Sequence, residues 1–283
     1  MAGEGAGGVR YAIADPTGNI TALVYDPVEV ARQPEVARQV MERHPEVEQV
    51  GFVPDATDGA QAPAALRMAG GEFCGNATMS AAVLHVVQAG QAPSTEDELV
   101  VVQMRVSGAS RPVEVRIVAS SDGAFEADVR MPEARDVIAQ TFAFAGVVGQ
   151  LPLVLMEGIS HVVVPESSPF HALLADRASA EAAVRQWCHD LGADGLGLMF
   201  LEGDASSYRL TPLVYVPGSN TVFWENSCAS GSAAVGRFLA RETGASVGLA
   251  LHEPGGTLRV ASDAEGRQTW LHGSVRLVGE HLL

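Results

Sequence analysis

Two of the three cysteines in the 283-residue chain share a setting. Cys74 stands in GGEFCGNATMSAA (70–82) and Cys228 in ENSCASGSAAVG (225–236). Both read as Cys, small, Asn/Ser, small, Thr/Ser and then an alanine-rich helical run, and they lie 154 residues apart, about half the chain. The first N–H groups of a helix have no intrahelical partner, and the helix dipole puts partial positive charge there. Such a terminus binds a carboxylate and lowers a nearby thiol pKa from about 8.5 toward neutrality. Two termini facing one another would hold one carboxylate between two thiols. One thiolate could take the proton from the carbon beside that carboxylate, while the opposite thiol returned a proton to the other face. This chemistry needs neither metal nor cofactor. The competing use of a cysteine is as a small buried hydrophobe, and a Cys74–Cys228 disulfide or redox pair is a third. The repetition of the whole setting favours the thiol pair. Cys188, in RQWCHDLG, is expected only to pack within an amphipathic helix, with His189 solvated beside it.

The elements that must position these residues are mostly strands. VRYAIA (9–14) and TALVYD (21–26) flank a PTGN turn, and EQVGFV (48–53) and ALRMA (65–69) follow. Between the last two, DATDGAQAPA is a loop. Residues 98–106, 112–119 and 124–131 read as an antiparallel meander. PEVARQVMERH (34–44) has helical spacing, and ATMSAAVLHVVQ (77–88) is apolar nearly all round, so it should be buried on every side. The pattern then restarts, with strands at 151–156, 160–166, 196–202 and 208–216 and helices at 179–192 and 231–244. TLRVAS, RQTWLHG and SVRLVGE close the chain as three strands. Each half is several strands plus one small-residue helix that follows a cysteine, as an ancient duplication would leave. The candidate boundary is MPEARD (131–136).

Composition narrows the class. A net charge of −16 repels phosphate backbones and anionic lipid, so neither nucleic acid nor a membrane surface is an expected partner. No stretch is long and apolar enough for a membrane span, and MAGEGAGGVR lacks the basic and apolar regions of a secretion signal. A cytoplasmic location with reduced thiols is expected. All 18 basic residues are arginine. The absence of lysine excludes a pyridoxal-phosphate Schiff base, a Walker loop and a lysine nucleophile. No metal-ligand spacing occurs, and GEGAGG (3–8) reads as a tail because no strand precedes it. No cofactor is expected.

PTGNITALVYD, GGEFCGNATMSAA and ENSCASGSAA together resemble the diaminopimelate epimerase superfamily, in order and separation, over nearly the whole chain. The resemblance implies an α+β fold of two pseudo-symmetric domains, each a barrel-like, mostly antiparallel sheet around a central helix. Residues 1–131 with 273–283 would form one domain and 132–272 the other, with the site in the cleft between them. It implies that Cys74 and Cys228 are the two catalytic bases and that Asn19 contacts substrate. Gly75 and Asn76 would hold the substrate carboxylate from one helix, and Ala229 and Ser230 from the other. His161 matches a family histidine near the site, and is equally readable as a satisfied core residue. A small amino-acid substrate is implied, and a homodimer is compatible with the resemblance.

Departures choose the branch. Diaminopimelate epimerases carry an asparagine before the first cysteine, where this chain has RMAGGEF, and an arginine before the second, where it has SNTVFWENSC. A distal carboxylate needs such a cation. The segments are most similar to the histidine racemases of opine-metallophore pathways. In that branch a pocket carboxylate could pair with an imidazole, and Glu72 and Glu225 are the nearest to the cysteines. A non-catalytic amino-acid-binding protein of the same fold is the reading from another class.

Overall fold

The computed structural model describes residues 8–54, 63–205, 207–265 and 267–283; most of the GEGAGG tail and of the loop at 55–64 lies outside them. β1 (Arg10–Pro16) and β2 (Thr21–Val24) pair antiparallel. After α1 (Gln33–Arg43), β3 (Gln49–Phe52) returns parallel to β2. β4 (Ala65–Met68), β5 (Val100–Val106), β6 (Val113–Ala119) and β7 (Phe125–Arg130) follow in spatial order. The last strand, β16 (Thr269–Leu282), pairs with β7 along its first half and with β1 along its second, so eight strands close into a barrel. Its interior is filled by α2 (Gly75–Gln88). Residues 75–84 of α2 are all buried, as the apolar-all-round pattern predicts, and the Ala, Ser and Gly content lets strands approach from every side.

From β16 the same sheet runs on through β15 (Gly256–Ser262), β14 (Val247–Glu253), β12 (Ser207–Val216), β11 (Leu196–Asp204), β10 (Ser160–Pro165), β9 (Val147–Leu155) and β8 (Asp136–Phe144), with β13 (Thr221–Trp224) beside β12. One face of this arm holds α4 (Ala229–Thr243) and the other holds α3 (Arg177–Leu191). The period of two shows it directly. Val163 and Met199 point to the cluster around α4, while Val162, Val164, Leu198 and Phe200 point to the cluster around Trp187 of α3. Covering both faces is what makes HVVV and LGLMFL continuous apolar runs rather than alternating ones. Cys188 is buried in that second cluster, and His189 is solvated.

Several elements differ from the sequence reading. The two closing runs are one strand, because β16 serves two sheets at once and crosses the expected division at 272/273. β8, β13 and β14 are additional strands. DVIAQTFAF gains its order from its β9 partner, Asp136 to Phe144 opposite Leu155 to Val147, rather than from a clear alternation. Its outer edge is blunted by side chains: Ala143 O accepts from Trp187 Nε1 at 3.0 Å, and Asp136 Oδ1 accepts the Val137 N–H at 2.7 Å. Both cysteine-linked helices begin two residues earlier than their apolar runs. That shift makes Cys74 and Cys228 the N-cap residues themselves.

Met79 is fully buried in the barrel interior. Met79→Ala leaves a cavity that strands on all sides cannot collapse, and should cost about 2–5 kcal/mol, read as a fall in the urea midpoint at unchanged slope.

Candidate active site

Cys74 caps α2 in extended backbone (φ −131°, ψ 116°), and its Sγ accepts the Ala77 N–H at 3.3 Å. Cys228 caps α4 in the same conformation (φ −126°, ψ 97°). The two helix starts abut. A Cβ placed on Gly75 would lie 2.7 Å from the Ala229 Cβ, so only glycine allows this approach. Asn76 Nδ2 donates to Ser227 O at 2.9 Å and to Ser227 Oγ at 3.2 Å, tying the first turn of α2 to the residue before Cys228. A cavity of about 560 Å³ opens at this junction, with both cysteines and Gly75, Asn76, Ala229 and Ser230 in its wall. All three cysteines are free thiols, so the disulfide reading is not the state seen.

Over residues 8–281 the chain matches the family described as histidine racemase CntK N-terminal domain. The chain belongs to the histidine racemase family. It is 31% identical over 277 residues to the histidine racemase of Staphylococcus aureus, covering 95% of each chain. It is 28% identical over 278 residues to that of Fusobacterium nucleatum, covering 94% of this chain and 93% of that one. The fold is shared more widely. A hydroxyproline epimerase from Agrobacterium vitis, solved with bound trans-4-hydroxy-L-proline, superposes with a TM-score of 0.67 at 13% identity, covering 99% of this chain and 93% of that one. A Bacillus anthracis phenazine-biosynthesis protein of the PhzF family gives 0.61 at 14%, covering 97% and 98%. This member of the histidine racemase family is an isomerase, an amino-acid racemase.

The electrostatics of the site correct one expectation for Cys74 and Cys228. Both are pushed up rather than down. Burial is the largest cause for each, and nearby carboxylates add to it: Glu225 and Glu72 for Cys74, Glu225 and Glu253 for Cys228. The helix-terminal N–H groups act in the expected direction and lose to desolvation. The carboxylates are displaced in turn. Glu225 and Glu253 are each raised to about 8, chiefly by burial, and Glu48 and Glu72 are raised by the same cause.

Six of the eight residues expected beside the cysteines, Glu72, Gly75, Asn76, Glu225, Ala229 and Ser230, line the cavity. Asn19 does not. It is fully buried behind the wall, and its Nδ2 donates to Glu48 Oε2 at 2.7 Å. Glu48 also accepts from the Asn226 N–H and side chain, so it joins the first turn to the approach to Cys228. His161 is also fully buried behind the wall; its Nε2 lies 3.0 Å from Ser230 Oγ, and burial pushes it down to about 3, so it is neutral. Sequence reasoning missed Glu48, Gln49 and Glu253. Gln49 Nε2 donates to Glu225 Oε1 at 2.9 Å. Glu253 accepts the Cys228 N–H at 2.6 Å and the Ser232 hydroxyl. The available signal was a charged or amide residue at the end of an apolar strand, EQVGF for the first two and LALHE for the last.

Glu225 and Glu253 keep protons between pH 4.5 and about 8 that the unfolded chain has released. Their contribution to stability is therefore full below pH 4.5 and is lost as pH rises through about 8. Glu253→Gln should flatten the decline in chemical-denaturation midpoint over that window relative to wild type.

Proposed function

We propose that this racemase interconverts L- and D-histidine by a two-base mechanism, with Cys74 and Cys228 on opposite faces of the substrate α-carbon. The carrying observation is a cavity at two abutting cysteine-capped helix starts whose buried, unpartnered side-chain atoms only accept. Gln49 Oε1, Glu72 Oε2 and Asn76 Oδ1 are buried without a hydrogen-bond partner, and all three residues are in the wall. The amide orientations follow from their bonds, since only a nitrogen can donate to Glu225 or to the Ser227 carbonyl. A ligand that satisfies them brings N–H groups, as an α-ammonium and an imidazole do. The N–H groups at residues 75, 76, 229 and 230 take the α-carboxylate. Glu72 reads the side chain, and Glu225, oriented by Gln49, takes the ammonium. Asn19 acts through Glu48 and His161 through Ser230, each from behind the wall.

A diaminopimelate reading lacks a cation for the distal carboxylate. The arginine in the cavity wall, Arg38, is already paired with Glu35 and Glu42. The curated relatives, both histidine racemases, support the imidazole reading. D-histidine made in the cytoplasm would serve an opine-type metallophore, as the resemblance implies. The two cysteine-capped helices, each embraced by its own strands, also support reading the chain as two pseudo-symmetric halves, 1–131 with 273–283 and 132–272, that share β16.

The test is α-proton exchange in heavy water across a panel of L-amino acids. Histidine should exchange fastest, and Cys74→Ser and Cys228→Ser should each lower racemisation at least about a hundredfold. Glu72→Gln should raise KM for histidine several-fold and leave slow exchange of alanine unchanged. Exchange of diaminopimelate alone would remove the histidine assignment. Ligand binding with no exchange would replace the racemase by a binding protein.

A further inference from the structure

The two caps share a backbone shape but not their partners. Four residues after each cysteine stands a hydroxyl. On α2 it is Thr78, whose Oγ1 donates back to Cys74 O at 2.6 Å. On α4 it is Ser232, which turns away to Glu253, and the second Glu253 oxygen takes the Cys228 N–H. Glu253 ends β14 and is itself buried, so a protein carboxylate already occupies the start of α4. No such group touches the start of α2 among the described residues. The thiols differ in the same sense. Cys74 Sγ accepts the Ala77 N–H, a contact that favours a thiolate. Cys228 Sγ makes no cap hydrogen bond of that geometry, although the equivalent Gly231 N–H faces it. Its thiol lies 3.7 Å from Ser230 Oγ, which is held by neutral His161, and Glu225 acts on it as a nearby acid. Once Glu225 and Glu253 ionise, near pH 8, a thiolate at Cys228 would face two carboxylates, so this thiol holds its proton to higher pH.

We propose that Glu253 is a positioning residue that, together with Glu225, keeps Cys228 protonated, so that Cys74 carries the base when the enzyme meets its first substrate. The proposal rests on the two-base reading above. In the first turnover the α-proton passes to Cys74 as its new S–H, and the Cys228 S–H gives its proton to the opposite face, leaving a thiolate there. Water must then carry a proton from Cys74 back to Cys228 before the same direction can repeat. The groups that face Cys228 are Glu225, Glu253, Ser230 and the Gly231 N–H; those that act on Cys74 are the Ala77 and Asn76 N–H groups, with Glu225 and Glu72 acting as charges only.

The experiment is the pH dependence of iodoacetamide alkylation at each cysteine, read by peptide mass spectrometry on the intact enzyme. The pH midpoint is used because it reports each thiol's own titration, whereas the alkylation rate also depends on access to the buried sulfur. Cys74 should titrate at least about one pH unit below Cys228. Glu253→Gln keeps an oxygen for the Cys228 N–H while removing the charge. Because Glu253 ionises only near pH 8, below the thiol's own range, the variant should move the Cys228 midpoint down toward that of Cys74, leave Cys74 unmoved, and lower kcat several-fold with KM unchanged. Should that variant fail to fold, Ser232→Ala, which takes one donor from Glu253, should move Cys228 the same way by less. Coincident or reversed midpoints, or a Cys228 midpoint that neither variant moves, would overturn the proposal. Correctly ordered midpoints without proton exchange would sink the racemase reading instead and leave the ordering of the thiols in place.

Discussion

The end-on contact of two helices is the constraint on which the rest of the structure depends. Helix starts carry like partial charges, so two of them repel and neither can satisfy the other's free N–H groups. They are held together here by Gly75 fitted against Ala229 and by the Asn76 amide bonded to Ser227. The barrel around α2 and the arm around α4 supply the apolar burial that outweighs the repulsion, and β16 belongs to both, so neither helix can withdraw without breaking a strand. What is left at the junction is a set of N–H donors with no protein acceptor in the helices, and hence a place for a carboxylate.

The same closeness explains why the thiols do not behave as an isolated helix terminus would make them. A helix end contributes about half a charge, spread over a turn. Desolvation acts on the full charge of a thiolate, and Cys74 and Cys228 are almost fully buried, 8% and 4% exposed. Burial therefore decides the sign, and the surrounding carboxylates reinforce it. In the binding mode proposed above, a zwitterionic ligand would change this balance, because it would bring a cation among Glu225, Glu72 and Glu48 while its carboxylate took the helix N–H groups. The site by itself gathers four carboxyl groups raised from their ordinary range in one region.

How far this was legible in the sequence follows from which contacts are local. The cysteine settings, the helices they begin and the cavity residues flanking them are contiguous in the chain, so short-range pattern sufficed for Cys74, Gly75, Asn76, Cys228, Ala229 and Ser230. Glu225 and Glu72 were legible for the same reason. Glu253 touches Cys228 across 25 residues and Glu48 touches Asn226 across 178, and no local pattern encodes such pairs. Asn19 and His161 were identified as site residues by resemblance, and they stand behind the wall, because proximity in a motif does not say which side of a backbone a side chain takes. β16 was divided in two because the glycine at 273 reads as a break, whereas a close approach to Leu258 and Thr17 is what requires it.

Duplication and asymmetry are reconciled at the caps. Repetition of cysteine, small residues and a hydroxyl in each half is enough to place two equivalent thiols on either side of one carbon, which inversion of that carbon requires. Identical surroundings would let either thiol of the pair hold the remaining proton once one has been lost, with no preference for which acts first. In the ordering proposed here, one extra acidic group, Glu253, breaks the tie without disturbing the shared backbone. Thr78 and Ser232 occupy the same position in their helices, yet one bonds its own turn and the other turns to Glu253. Under the two-base proposal, the difference between a base and an acid rests on a residue outside both cysteine motifs, at the end of β14.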